Sequence, residues 1–232
     1  MSLILLPNLL SEDAEIQECI PSKIKEIILA LDGVIAESEK NLRRYFLKII
    51  KKEDFQKLEI ILLNEHTKEE EFKEIIKKIK DQKWALLSDA GLPCIADPGS
   101  KLVYLARENN IDIKAISGPS SIFLALMLSG LKGQSFTFHG YLPREEKDLF
   151  LKLEKIQKEA KEYTQIFIEA PYRSDKLYKT LLDKLDGDIY LSVAINLTSS
   201  KQRVFTKKVR ELKKANISLE KEPTIFLFSY NI

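Results

Sequence analysis

Residues able to do chemistry concentrate in three short segments. The densest is Ser88-Asp-Ala-Gly-Leu-Pro-Cys-Ile-Ala-Asp-Pro-Gly99, which sets Asp89, Asp97 and Cys94 among glycines and prolines. A compact apolar run, 84–87, stops where this segment begins, and a helical pattern starts near Ser100. In an α/β sheet that order places a polar loop at the carboxyl end of a strand, the edge where such sheets bind ligands. Glycine lets a backbone approach a ligand closely and proline holds the loop's shape. The chemistry implied is capture of a small molecule, with its identity open. The second segment, Gly118-Pro-Ser-Ser121, precedes an apolar helical pattern over 122–129. Free N–H groups at a helix start suit an anionic ligand group. Ser120 and Ser121 also fit a plain N-cap. The third, Glu169-Ala-Pro-Tyr-Arg173, follows an apolar run at 165–168. There Glu169 reads either as a proton acceptor at a cleft edge or as half of a surface ion pair with Arg173, which contributes little to stability.

Other reactive side chains read more plainly. Cys19 and Cys94 are the only cysteines and are expected as reduced thiols. With only His66 and His139 beside them, no zinc-type ligand set forms, and no metal is expected. His139 sits inside a strand pattern and reads as a packed or hydrogen-bonded histidine. His66 follows a strand in Asn64-Glu65-His66, where a cleft role and a loop role are both open. Two basic clusters, Arg43/Arg44/Lys48/Lys51/Lys52 and Lys201/Arg203/Lys207/Lys208/Arg210, fit either phosphate contacts or ordinary solvated faces.

The elements that must hold these segments follow from periodicity. Short apolar runs at 3–6, 34–36, 59–63, 84–87 and 113–116 read as strands. Between them, helical patterns cover 21–31, 41–50, 67–80 and 101–109. This alternation predicts a mainly parallel sheet. The second half differs, with strands at 135–141, 165–168, 190–195, 204–206 and 224–229 and helices at 122–129, 145–162, 174–185 and 209–214. The fold class is therefore α/β in two domains, 1–117 and 118–232, each of ordinary size. A hydrophobic share of 44%, a charged share of 31% and a net charge of +2 argue against disorder and show no global polyelectrolyte character. No apolar run approaches the ~18 residues of a membrane-spanning helix. The start, Met1-Ser-Leu-Ile-Leu-Leu-Pro7, lacks a basic leader and reads as a first strand, so a cytoplasmic location is expected.

Four segments in series resemble one family. Residues 88–99 are similar to the S-D-A-G-x-P-x-I-x-D-P-G signature of ribosomal RNA small-subunit methyltransferase I and its relatives, a branch of the tetrapyrrole methylase superfamily. Gly118-Pro-Ser-Ser121 resembles their G-P-[SC]-[SA] turn. Residues 133–143 and 165–173 resemble their G-F-L-P and E-[ST]-P-x-R segments. Order and spacing agree along nearly the whole chain.

The resemblance implies two α/β domains with a ligand cleft between them, S-adenosylmethionine as cofactor, and a homodimer. It implies methyl transfer to the ribose 2′-O of small-subunit ribosomal RNA. It places Pro7, Ser88, Asp89, Ala90, Gly91, Ile95, Asp97, Ser120, Ser121, Ala194, Asn196, Pro223 and Thr224 at the cofactor and Glu169 and Arg173 at the chemistry. Alternative functions are methylation of a tetrapyrrole or other small molecule and non-catalytic binding of S-adenosylmethionine. The chain departs from the relatives' P-x-P-I-G-N-L-x-D, E-D-T-R and R-E-[LI]-T-K segments, where it has Pro7–Asp13, Ala36–Asn41 and Ile195–Ser199. The methyl acceptor is therefore to be read from the strand ends near Asn8, Glu37 and Asn196.

Overall fold

The computed structural model describes residues 2–215 and 217–232. The chain divides into two compact units between Ser120 and Ser121. The first unit runs β1 (Ser2–Leu6), α1 (Ile16–Cys19), α2 (Ile24–Leu29), β2 (Gly33–Ala36), α3 (Glu39–Phe46), α4 (Lys52–Phe55), β3 (Glu59–Leu62), α5 (Glu69–Ile79), β4 (Lys83–Leu87), α6 (Gly99–Glu108) and β5 (Ile113–Ala115). Its strands lie in the order β3-β2-β4-β1-β5, and each neighbouring pair is parallel.

Side chains alternate across a strand, so one sheet feeds two cores. Ile4, Leu6, Val34, Ala36, Ala85 and Leu87 pack with Ile24 and Ile28 of α2 and Leu42 and Phe46 of α3. Leu3, Ile35, Trp84 and Leu86 face the other way, onto Phe72, Ile75 and Ile79 of α5 and Leu102 and Ala106 of α6. Burial on both faces explains why β1 and β4 read as unbroken apolar runs rather than alternating ones. Trp84, expected as a packing residue, has no exposed surface.

Because the five strands run in one direction, every strand-to-helix loop leaves from the same edge. The chain leaves β1 toward β2 on one side and leaves β4 toward β5 on the other, although β1 and β4 are neighbours. Such a reversal opens a crevice at the strand ends. The patterned helix over 21–31 is shorter than expected, Ile24–Leu29, and α1 ends at Cys19 because Pro21 holds the residue before it in extended backbone.

The second unit runs α7 (Ser121–Ser129), β6 (Phe136–Tyr141), α8 (Glu146–Glu159), β7 (Thr164–Glu169), α9 (Pro171–Lys184), β8 (Tyr190–Ile195), β9 (Arg203–Lys208), α10 (Val209–Leu212) and β10 (Thr224–Ser229). Its strand order is β6-β7-β10-β8-β9, with β6 and β7 parallel and the other pairs antiparallel. One face packs Phe167, Leu191, Val193, Phe226 and Phe228 against α8 and α9, and the Phe167 and Phe226 rings stack at 5.6 Å. The apolar helix α7 packs against β8, β9 and β10. Thr206 Oγ1 donates to the Ser129 carbonyl at 2.7 Å and lies 2.9 Å from Ser192 Oγ.

Helix α9 starts at Pro171 rather than at the expected Ser174. Proline at the first helical position needs no amide partner and has a preset φ, so the segment read as loop is the helix's first turn. No helix among the described residues is long and apolar enough to cross a membrane.

Candidate functional site

At the strand ends of the first unit, the loop after β4 is held by side chains from two other strands. Asn8 follows β1 and is only 4% exposed. Its Nδ2 donates to the Ser88 and Asp89 carbonyls at 2.9 and 3.0 Å, and its Oδ1 accepts from Leu9 N–H at 2.8 Å. Its own N–H donates to the Gly91 carbonyl at 2.8 Å. Glu37, directly after β2, accepts the Asp89 N–H through Oε1 at 2.9 Å. Ser88 is buried and its hydroxyl donates to the Ala90 carbonyl at 3.1 Å, so it shapes the turn. Asp89, Ala90 and Ile95 are left exposed on the same loop.

Two glycines make this arrangement possible. Gly91 has φ +69°, and a Cβ there would meet Leu10 Cδ2 at 3.0 Å and the Pro119 carbonyl at 3.3 Å. A Cβ on Gly118 would lie 2.1 Å from Pro7 Cβ, inside any allowed contact. The turn after β5 therefore closes directly onto Pro7, and Ser120 follows this contact by two residues.

Farther along the loop, Cys94 and Ala96 adopt left-handed φ of 71° and 64°. For residues with a Cβ this costs about 1–2 kcal/mol each, and such strain collects at functional loops. Asp97 braces the loop: its Oδ1 accepts the Gly99 N–H at 2.7 Å. Its Oδ2 is buried with no partner in hydrogen-bonding geometry among the described residues. Burial raises the Asp97 pKa; the Gly99, Cys94 and Ile95 amides oppose that without overcoming it. The Cys94 thiol is pushed up to about 12 by burial and by the charge of Asp97, which leaves it a poor nucleophile.

A cavity of about 690 Å³ opens between the ends of β2 and β3 and this loop. Glu37, Glu65, Asp89 and Asp97 line it, with Asn64 and Cys94, and no Lys, Arg or His does. Burial raises the Glu37 pKa, the Asp97 and Asp89 charges add to this, and the Asp89 amide opposes it. A wall of this sign favours cationic groups and hydrogen-bond donors and repels phosphate.

The second unit gathers its own set. Antiparallel pairing puts Thr224 opposite both Glu169 and Ile195. The Asn196 N–H donates to the Pro223 carbonyl at 3.0 Å, and Asn196 has φ 50°. Residues far apart in sequence, Glu169, Ala194, Asn196, Pro223 and Thr224, thus share one sheet edge. Glu169 has no exposed side-chain surface, and its Oε2 lies 3.0 Å from Arg173 Nη2 across one turn. Its Oε1 accepts the Ala170 N–H at 2.8 Å. The expected pair is therefore an enclosed ion pair rather than a surface one, because α9 begins early enough to bring Arg173 back over Glu169.

Other candidates are tied up locally. His139 Nε2 lies 2.7 Å from Gln165 Oε1, and burial lowers its pKa. His66 is exposed, with its N–H on Asn64 Oδ1 at 2.9 Å. Arg44 pairs with Glu12, Lys48 donates to the Glu12 carbonyl, and Arg43 lies over the Phe55 ring. Lys208 and Arg210 share Asp188, and Arg203 meets Glu220. Much of both basic clusters is thus engaged with the protein's own groups. Among the described residues no group of three or more His, Cys, Asp and Glu is arranged to hold a metal ion.

The clamping roles of Asn8 and Glu37 are not visible in sequence spacing. Their only signal is position, immediately after a buried strand.

Comparison with known proteins shows what the chain as a whole is similar to. The profile of the Tetrapyrrole (Corrin/Porphyrin) Methylases matches residues 18–213. A Thermotoga maritima protein named Ribosomal RNA small subunit methyltransferase I is 35% identical over 155 residues, 66% of this chain and 67% of that one. A Vibrio cholerae protein of the same name is 33% identical over 65% of this chain, which spans about half (52%) of it. The crystal structure of diphthine synthase superposes with a TM-score of 0.65 at 17% identity, covering 97% of this chain and 90% of that one.

Proposed function

The chain belongs to the tetrapyrrole (corrin/porphyrin) methylase family and is a methyltransferase; from that premise we propose that it transfers a methyl group from S-adenosylmethionine to small-subunit ribosomal RNA, at a ribose 2′-oxygen. The observation that carries the acceptor is the name shared by the similar Thermotoga maritima and Vibrio cholerae proteins. The donor site rests on the clamped loop after β4.

S-adenosylmethionine, when bound, supplies a methyl carbon already activated by a sulfonium. The protein's task is then to bind, orient and exclude water. The residues present fit such a cation-bearing group. Asp89 and Ala90 are exposed residues of the clamped loop, the left-handed Gly91 leaves the turn free of a side chain, and the acidic wall favours positive charge. In this reading Pro7, Ser88, Asp89, Ala90, Gly91, Ile95, Asp97, Ser120 and Ser121 form the first unit's share of the donor site. Ala194, Asn196, Pro223 and Thr224 are the donor-binding candidates that the second unit carries. Ser88 and Asp97 act by holding the loop, since the Ser88 hydroxyl is turned to Ala90 and Asp97 Oδ1 to Gly99. Glu169 and Arg173 hold the β7–α9 turn, because an enclosed, ion-paired carboxylate has no free edge for a substrate proton. The homodimer is part of the same reading, with the exposed Phe123, Met127 and Leu128 of α7 as an apolar face to cover.

The test is mass spectrometry of small-subunit ribosomal RNA from parent and deletion strains. The expected result is loss of one 2′-O-methyl mark, restored by the purified protein and donor. An unchanged modification pattern contradicts the proposed acceptor.

A further inference from the structure

Methyl transfer to oxygen or nitrogen releases one proton, and none of the residues carried over from relatives is placed to take it. Glu169 is enclosed and ion-paired with Arg173. Asp97 holds the Gly99 N–H through Oδ1, and its other oxygen is buried out of a substrate's reach. Glu65 and Asp89 stand exposed to solvent. Glu37 combines what the others lack. It is half-buried, it lines the cavity beside the proposed donor loop, and the Asp89 N–H fixes one of its carboxylate oxygens. Among the described residues no hydrogen bond or ion pair engages its other oxygen. The same hydrogen bond couples Glu37 to the loop, so donor and proton acceptor are held by one element.

Building on the methyl-transfer reading above, we propose that Glu37 is the proton acceptor for the methyl acceptor's hydroxyl or amino group. In this step the acceptor's O–H or N–H bond breaks and its proton passes to the Glu37 carboxylate. A bond forms between that oxygen or nitrogen and the methyl carbon. The carbon–sulfur bond of the donor breaks, its electron pair stays on sulfur, and a neutral thioether leaves. The groups facing Glu37 are Asp89, Asp97, Glu65 and Cys94, with no cationic side chain in the cavity wall. That surrounding raises its proton affinity by burial and like charge, the direction a general base near neutral pH requires.

Three proteins test this: the wild type, Glu37→Gln and Glu37→Asp. Methyl transfer from tritiated donor to small subunits lacking the mark gives kcat, donor calorimetry gives Kd, and carbon-13 NMR follows the Glu37 carboxyl against pH. Expected for Glu37→Gln are a fall in kcat at saturating donor of about 10²–10⁴-fold, a donor Kd raised by less than about tenfold for the loss of one wall charge, and loss of the acidic limb of the kcat–pH profile. Glu37→Asp should recover part of kcat. In the wild type the carboxyl should titrate above the usual glutamate range. A kcat within about threefold of wild type, or an unchanged acidic limb, overturns the assignment. If the wild type binds donor but does not methylate these subunits, the ribosomal acceptor fails instead. Glu37 is then judged by its titration, and a value at or below the ordinary glutamate range overturns its role.

Discussion

The two units each carry a glutamate at a strand end, and the structure treats them in opposite ways. Glu37 follows β2 in a parallel sheet whose loops all leave from one edge, and it borders an open cavity with no cation beside it. Glu169 ends β7 in a mainly antiparallel sheet and is sealed beneath Arg173. Sequence alone favours the second as the reactive group, because it sits in a recognisable E-x-P-x-R segment. Accessibility favours the first. A carboxylate at a strand end serves chemistry when a lone pair stays open, and serves architecture when a guanidinium closes over it.

The largest effect expected from breaking this contrast is on stability. Arg173→Ala leaves an uncompensated charge at Glu169, and loss of one partner of a buried pair costs about 3–5 kcal/mol. Urea unfolding should show this loss, and the double variant Glu169→Gln/Arg173→Met should recover most of it. If Arg173→Ala keeps full stability yet abolishes methyl transfer, the architectural assignment fails. Next comes Gly118→Ala, whose new Cβ overlaps Pro7. Overpacking of this kind costs about 1–3 kcal/mol, readable as a lower urea midpoint with weaker donor binding. Asn8→Ala removes the donors to the Ser88 and Asp89 carbonyls. The loss should be about 1–2 kcal/mol for buried acceptors left unmatched, again with weakened donor affinity by calorimetry.

The smallest effect is on pH dependence. Glu37 and Asp97 have pKa values raised in the folded protein, so the folded state binds their protons more tightly than the unfolded state does. Stability is then lost as pH rises from the ordinary carboxylate range through the raised values, and is flat above them. Glu37→Gln removes one such group. Its urea midpoint should gain on the wild type between pH 4 and pH 8, and a relative loss over that interval would mean that folding lowers the Glu37 pKa instead of raising it.

The first unit's sheet is legible in sequence because strands buried on both faces leave unbroken runs such as Leu3–Leu6 and Trp84–Leu87. The loop after β4 is legible because its glycines and prolines are demanded by backbone geometry. Strand direction in the second unit is not. Placing β10 between β7 and β8 is a non-local pairing that no local pattern encodes, and only that pairing brings Pro223 to Asn196. The start of α9 is hidden because Pro171 reads as a loop residue when it is a helix initiator. The clamps by Asn8 and Glu37 are contacts between side chain and main chain across long stretches of chain. Residue type at those positions is compatible with many loops, and only the fold selects this one.

Whether the loop after β4 holds the methyl donor is decided by titration calorimetry of S-adenosylmethionine into wild type and Gly91→Val. A β-branched side chain is strained at φ +69° and would press on Leu10 and the Pro119 carbonyl. The wild type should bind saturably and the variant at least about tenfold more weakly, with both proteins folded by circular dichroism. Equal affinities in the two proteins, or no binding by the wild type at millimolar donor, would contradict it.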